Sequence, residues 1–282
     1  MEKIMISMDS AADLSVQMMQ DRGISVIPFN VILGAQEYLD GIDVTPQMIF
    51  DYVKETKVLP KTAAISTEIA AEYFAELLEK AETVIHFNIS SGCSVTYNNV
   101  VAAAERFGGR VKVIDSLHLS TGQGLLVLKA CDLKDAGKSA DEIEEEINAL
   151  REKVQTSFVV DTVEYLYKGG RCSAASRFAA ALLHVHPAIV MKEGKLGVKG
   201  KYMGSLKRCI GKYIEDLAQE FHDYEDTRVF VTHSSCDDEI VQFAMDKVKE
   251  VFHFNEVLTT VAGATVTSHC GRGTLGVLFI TK

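Results

Sequence analysis

Short apolar runs alternate with amphipathic stretches along the first half of the chain. Residues 3–8 read as an opening strand, and Asp9-Ser10-Ala11-Ala12-Asp13 breaks it. A helix is expected over 14–22, closed by Gly23. The apolar run 24–33 carries Pro28, which suits an edge or irregular strand. A loop over 34–43 holds Tyr38, Asp40 and Asp43. Thr45-Pro46 then opens a helix to about residue 54. Residues 59–64 are extended, and 68–81 form a helix with Ile69, Tyr73, Phe74, Leu77 and Leu78 on one face. Further strand–helix alternation follows: a strand at 84–89, a helix at 94–107, a strand at 111–115 and a helix to about 134. Ser139 with Glu142 is a capping-box pair, opening a helix whose stripe is Ile143, Ile147, Leu150 and Val154. Repeated strand–helix units imply a mostly parallel sheet with flanking helices.

The second half has a different rhythm. A strand is expected at 157–161, a short helix ending at 165–167, and a small-residue helix at 174–183. Residues 187–191 and 196–202, joined by Glu193-Gly194, read as a β-hairpin. Helices fit 205–221 and 238–251, and strands fit 228–232, 256–261 and 275–281. The fold class is therefore α/β with two α/β domains: an N-terminal one over 1–155 with a mostly parallel sheet, and a C-terminal one over 156–282 with a mixed sheet and helices. No Pro- or Ser-rich linker marks the boundary.

Composition narrows the function. The chain has 282 residues, is 47% apolar and carries a formal charge of −10. That charge speaks against nonspecific nucleic-acid binding. No signal peptide is evident, and the longest mostly apolar stretch, 178–191, is interrupted by two His and a Pro; no stable membrane insertion is expected. Six scattered cysteines without a C-x-x-C pair fit free thiols in a reducing cytoplasm and no structural zinc site.

Candidate chemistry gathers in hydroxyl-rich turns at the carboxyl ends of the expected strands, where α/β sheets bind ligands. The densest is Ser90-Ser91-Gly92-Cys93-Ser94-Val95-Thr96, at a strand-to-helix turn. Backbone N–H groups left free there, with hydroxyl donors, suit an anion or a carboxylate; a plain helix cap surrounded by solvated turn residues is the bland reading. No Walker pattern occurs and no G-x-G-x-x-G follows a strand; Gly122-Gln123-Gly124 is too short to count. His184 and His186 could share a strand face, but with no third ligand nearby a core or rim role is favoured over metal binding. Cys270 beside His269 raises thiol catalysis, which diverging side chains on a strand disfavour. Between 192 and 212 stand Lys192, Lys195, Lys199, Lys201, Lys207, Arg208 and Lys212 against Glu193 alone. This stretch is either a solvated face or a surface for an acidic partner.

Taken together, Asp9-Ser10-Ala11-Ala12-Asp13-Leu14, Pro60-Lys61-Thr62, Ser90 to Thr96 with Tyr97, Val113-Ile114-Asp115-Ser116, Val163-Glu164-Tyr165-Leu166 with Gly169-Gly170-Arg171, and His269-Cys270-Gly271-Arg272-Gly273 resemble the DegV family of bacterial fatty-acid-binding proteins. The likeness follows the family's order over essentially the whole chain. It implies a cytoplasmic, non-enzymatic carrier of one long-chain fatty acid such as palmitate or oleate, with no other cofactor, that presents the carboxylate to a partner fatty-acid kinase. The family's carboxylate-holding threonine matches Thr62, its serine Ser94 and its C-terminal histidine His269; Ser91 and Arg171 complete the expected site. Departures are Cys93 and Val95 around Ser94, Ala63-Ala64 after Thr62, and Cys270 and Arg272 after His269.

A desolvated carboxylate does need several donors, and a buried tail gains about 0.8 kcal/mol per CH₂. Phe178, Leu182, Leu183, Ile189 and Val190 are candidates for the tail's lining, with ordinary core as the bland alternative. Two rivals remain: an acyl-ester hydrolase using Ser94 or Cys270 with His269, and a small-molecule sensor acting on a partner.

Overall fold

The computed structural model describes residues 3–178 and 185–282. In chain order, the first half runs β1 (Ile4–Asp9), α1 (Val16–Arg22), β2 (Ser25–Ile27), β3 (Asn30–Leu33), β4 (Gln36–Leu39), α2 (Pro46–Thr56), β5 (Lys61–Ala63), α3 (Thr67–Leu78), β6 (Thr83–Asn88), α4 (Thr96–Ala104), β7 (Val111–Asp115), α5 (Thr121–Asp135) and α6 (Ala140–Leu150). The second continues with β8 (Val154–Val159), α7 (Glu164–Lys168), β9 (Val185–Lys192), β10 (Lys195–Met203), α8 (Leu206–Glu220), β11 (Arg228–Ser234), α9 (Asp238–Val251), β12 (Glu256–Val261), α10 (Ala264–Cys270) and β13 (Thr274–Ile280).

The described strands form three sheets. A parallel sheet has the order β2-β1-β6-β7, and a mixed sheet the order β10-β9-β8-β13-β11-β12. The third is a small antiparallel sheet, β4-β3-β5. It arises where Pro28 ends β2, so the single run expected over 24–33 becomes two strands in two sheets. The loop expected at 34–43 contains β4, because Gly34 at φ 67° turns the chain back on itself.

Local signals set four of the ten helix starts among the described residues. Ser15, Thr45, Ser66 and Ser139 each accept from a backbone N–H three residues on, and Ser139 with Glu142 forms the full capping box. The third helix buries Ala70, Phe74 and Leu77, whereas Ile69 lies on its exposed face. Helix α5 is buried on nearly every side, since it lies between the parallel and mixed sheets. Its packing requires Gly122, where a Cβ would sit 2.1 Å from Thr156 Oγ1 on β8. The glycines that failed as a nucleotide fingerprint therefore serve close packing.

Two large apolar clusters cross from one sheet to the other. One joins Ile6, Phe87 and Leu126 to Phe230 and Leu278; the other joins Phe29, Phe74 and Ile89 to Phe158 and Ile189. The chain position 155 falls just inside β8, at the first strand of the mixed sheet, and the halves share their cores across it. Among the described residues no helix is long and apolar enough to cross a membrane.

Candidate functional site

Between the carboxyl ends of β2, β6 and β7 and the facing mixed sheet lies a cavity of about 490 Å³. Thr62, Ser91, Ser94, Arg171 and His269 all line it. Five positions spread over more than two hundred residues thus meet at one concavity, delivered by four segments: β5, the turn before α4, the turn after α7, and α10.

Thr62 sits mid-strand on β5, held by pairing with Val31. Its Oγ1 lies 2.9 Å from His269 Nε2 on α10. Burial holds the His269 imidazole down at about 3, and the nearby Arg171 guanidinium adds to that. The ring is therefore neutral at physiological pH. Its Nδ1 has no hydrogen-bond partner. A buried N–H without a partner costs more than an unsatisfied acceptor lone pair. That favours the tautomer in which Nε2–H donates to Thr62 Oγ1, leaving the Thr62 hydroxyl proton free to donate onward.

Ser94 precedes α4. The sequence suggests that the helix starts at Ser94; it starts at Thr96, and Val95 occupies the cap without a side-chain bond. The Ser94 hydroxyl instead accepts from the Thr96 N–H at 3.2 Å and donates to Thr96 Oγ1 at 2.9 Å. Thr96 Oγ1 also accepts from the Ile65 N–H, tying the Ser94 turn to the segment after Thr62. Rotation of one hydroxyl redirects the Ser94 proton to a ligand. Ser91 is exposed on the cavity wall, and its N–H donates to Asp115 Oδ1. Arg171 is exposed at the rim, with Nη1 donating to Gly169 O at 2.7 Å.

Buried carboxylates fix these turns from behind. Asp9 accepts from the N–H groups of Ala11 and Ile89 and from Asn88 and Gln123. Burial nevertheless pushes its carboxyl up to about 6. Ser90 is fully buried and donates to Gly194 O at the β9–β10 turn, so it anchors the hairpin and does not face the cavity. The turn fits because residue 92 is glycine: a Cβ there would lie 2.3 Å from Gly194 O.

The apolar wall consists of Phe29, Ile89, Leu119, Phe158, Leu166 and Leu196, with Val266 and Leu278. Ile189 is in the core and, like Val190, is not on the cavity wall. The Phe178 side chain, Leu182 and Leu183 lie outside the described residues. So does His184, while His186 Nε2 is bonded to Gly204 O at 3.1 Å. Only a 3-10 segment over Ser173–Phe178 is described of the helix expected at 174–183. No group of three metal-ligating side chains occurs among the described residues.

One further expectation needs correction. His269 and Cys270 end a short helix, not a loop entering a strand. Cys270 is buried, with its thiol pushed up to about 12 by burial, and neither it nor Ser94 has an imidazole partner. Of the seven basic residues between 192 and 212, three are paired: Lys199 with Glu220, Lys207 with Glu239, and Lys212 with Asp216. Lys199 also sits over the Phe221 ring, on the α8 side of the hairpin and away from the cavity wall. Sequence reasoning missed Thr96, whose methyl-and-hydroxyl side chain looked like an ordinary first-turn residue. It also missed Asp40, whose loop position showed nothing of the remote backbone it meets.

A model of the DegV family, described as uncharacterised protein, matches residues 3–282. The chain belongs to the DegV family. A DegV domain-containing protein of Caldanaerobacter subterraneus is 30% identical over 285 residues, covering 100% of both chains. Another, from Deinococcus radiodurans, is 29% identical over 274 residues, covering 97% of each. Among solved structures, a DegV family protein from Thermus thermophilus described by its fatty acid binding superposes with a TM-score of 0.92 at 31% identity. It covers 99% of this chain and 100% of its own. DegV of Bacillus subtilis, described as a fatty acid binding protein, gives 0.85 at 26% identity over the full length of both. The α/β architecture with one parallel and one mixed sheet is shared with these structures.

Proposed function

We propose that this DegV family protein binds one long-chain fatty acid, such as palmitate or oleate, and presents its carboxylate to a partner fatty-acid kinase. The observation that carries the binding is the cavity itself. Hydroxyls and a neutral imidazole occupy one part of its lining, and aliphatic and aromatic side chains line the rest. The Thr62 and Ser94 hydroxyls take the carboxylate as donors, with His269 polarising Thr62 and the Ser91 hydroxyl at the wall. Desolvating a carboxylate without such donors costs several kcal/mol. A tail of roughly sixteen carbons supplies on the order of 10 kcal/mol against that and against its own ordering.

Arg171 supports the second part of the reading. Its guanidinium is exposed at the rim, where a head group reached from outside would carry negative charge before transfer and more after it. The protein contributes binding, orientation and exclusion of water from the tail; the phosphoryl chemistry belongs to the partner. The buried Cys270, whose thiol lies against Gly271 O, and the absence of an imidazole bonded to Ser94 among the described residues favour this carrier over an acyl-ester hydrolase. That no disulfide joins the six cysteines supports a reducing cytoplasm as its location.

The testing experiment is calorimetric titration with palmitate and oleate, followed by incubation of the loaded protein with ATP and a bacterial fatty-acid kinase subunit. Binding with acyl phosphate formed only when both proteins are present supports the full reading. Binding without transfer removes the kinase part. Turnover of a p-nitrophenyl acyl ester by the purified protein alone restores the hydrolase.

A further inference from the structure

The histidine of the site is carried by a helix of seven residues, too short to be stable alone. Its cap residue, Gly263, offers no side-chain bond to the free N–H groups of the first turn. Those groups are met from the other end of the chain. Asp40 Oδ1 accepts from Ala264 N–H at 2.7 Å and Oδ2 from Thr265 N–H at 3.2 Å. Asp13 Oδ1 accepts from Gly263 N–H at 2.8 Å.

Both carboxylates are themselves fixed. Ser10 donates to Asp40 Oδ2 at 2.9 Å while accepting from Phe29 N–H, and Ser120 donates to Asp13 Oδ2 at 2.5 Å. Residue 263 must be small for this grip, because a Cβ would lie 3.1 Å from Asp40 Oδ1 and 3.3 Å from Asp13 Oδ1. Asp40 and Asp13 are buried, so water does not compete for these bonds.

We propose that Asp13 and Asp40 are positioning residues for the head-group site: by gripping the backbone of Gly263, Ala264 and Thr265 they set the rotation and height of α10, and so hold His269 Nε2 against Thr62 Oγ1. The inference rests on the assignment of Thr62 and His269 to the carboxylate. The lever is short and stiff. His269 stands five residues beyond Ala264, about 7.5 Å along the axis. A rotation of about 20° moves a side-chain tip at a radius of about 5–6 Å by about 2 Å. That exceeds the tolerance of a hydrogen bond, whose heavy atoms must stay within about 2.7–3.2 Å. Three carboxylate bonds to consecutive backbone N–H groups fix both coordinates at once.

The test uses the full chain with ¹⁵N-labelled histidine and three variants, Asp40→Ala, Asp40→Asn and Ser10→Ala, the last loosening the Asp40 carboxylate without removing it. Palmitate affinity, thermal stability and the imidazole nitrogen shifts are read for each. The expected result is a tenfold or greater loss of affinity in Asp40→Ala, smaller losses in the other two, and His269 ring signals that move while those of His86 and His118 stay. Adding Thr62→Val to Asp40→Ala should then cost much less than Thr62→Val costs alone. Lowered stability with unmoved His269 signals and unchanged affinity, in whichever variants fold, overturns the proposal and leaves the carboxylates as structural caps. If the parent itself binds no fatty acid, the head-group reading fails, while the His269 shifts still judge the positioning.

Discussion

Thr62 and His269, 207 positions apart in the chain, are joined by a bond of 2.9 Å between Oγ1 and Nε2. One sits on the small antiparallel sheet and the other on a helix that lies beyond β12 in sequence. The bond is the point at which early and late segments of the chain agree on one site.

Replacing Thr62 by Val keeps the volume and removes the hydroxyl between the imidazole and the ligand. The expected loss is about 1–3 kcal/mol of fatty-acid binding, or roughly a 5- to 150-fold rise in Kd. Ser94→Ala should act in the same direction. Titration calorimetry with oleate measures both, and parent-like affinity in the pair would move the carboxylate elsewhere in the cavity.

The neutral His269 has a consequence for pH. Burial lowers it from 6.5 in the unfolded chain to about 3 in the folded one. Between those values the unfolded state binds more protons, so the stabilising contribution is complete above pH 6.5 and is lost as pH falls toward 3. His86 and His118, lowered to about 3 and about 4 by burial, act in the same direction. Asp9 and Asp13, pushed up to about 6 and about 8 by burial, act in the opposite direction, so the test is a difference: any loss of thermal stability on acidification through this window should be smaller in His269→Gln than in the parent. In the native protein the His269 Cε1 proton should not titrate between pH 8 and 5; a midpoint near 6.5 would show an exposed ring.

Gly92 provides a steric test of how the hairpin docks. A Cβ at this position meets Gly194 O at 2.3 Å, a backbone atom that cannot simply turn away. Gly92→Ala should cost about 1–3 kcal/mol, as overpacking does, and should disturb the Ser90–Gly194 bond beside the cavity wall. Denaturant unfolding gives the cost, and stopped-flow displacement of a fluorescent fatty acid should show faster release. An unchanged midpoint and an unchanged release rate would mean that the hairpin does not hold this wall.

Cys270 should be chemically quiet. Its thiol is buried and pushed up to about 12, so the reactive thiolate is scarce at neutral pH. Iodoacetamide should leave it unmodified in the native protein while labelling it on unfolding, as peptide mapping can follow. Rapid native labelling of Cys270 would reopen thiol chemistry at this site.

Much of this architecture was readable in the residues. Strand–helix alternation, with Ser, Thr and the Ser139–Glu142 pair at helix starts, placed the parallel sheet and its helices, because those signals act within one turn of the backbone. The Glu193-Gly194 turn likewise gave the β9–β10 hairpin. What stayed hidden depends on distant contacts. Helix α10 has too few residues for a periodic stripe, and its N-terminus is satisfied by Asp13 and Asp40 from the far end of the chain. Thr62, Ser94 and His269 came from the family likeness, Ser91 and Arg171 were added to them, and the meeting of all five at one cavity is a property of the fold. Of the expected lining, Ile189 and Val190 lie off the cavity wall, since an apolar run looks alike whether it faces a cavity or a core.

The most direct measurement of the central claim is native mass spectrometry of the purified protein with organic extraction of its lipid. The account predicts one long-chain fatty acid per chain, released by denaturation, retained by the parent and depleted in the Thr62→Val, Ser94→Ala double variant. No stoichiometric fatty acid in the extract, together with no binding of added palmitate or oleate, would contradict it.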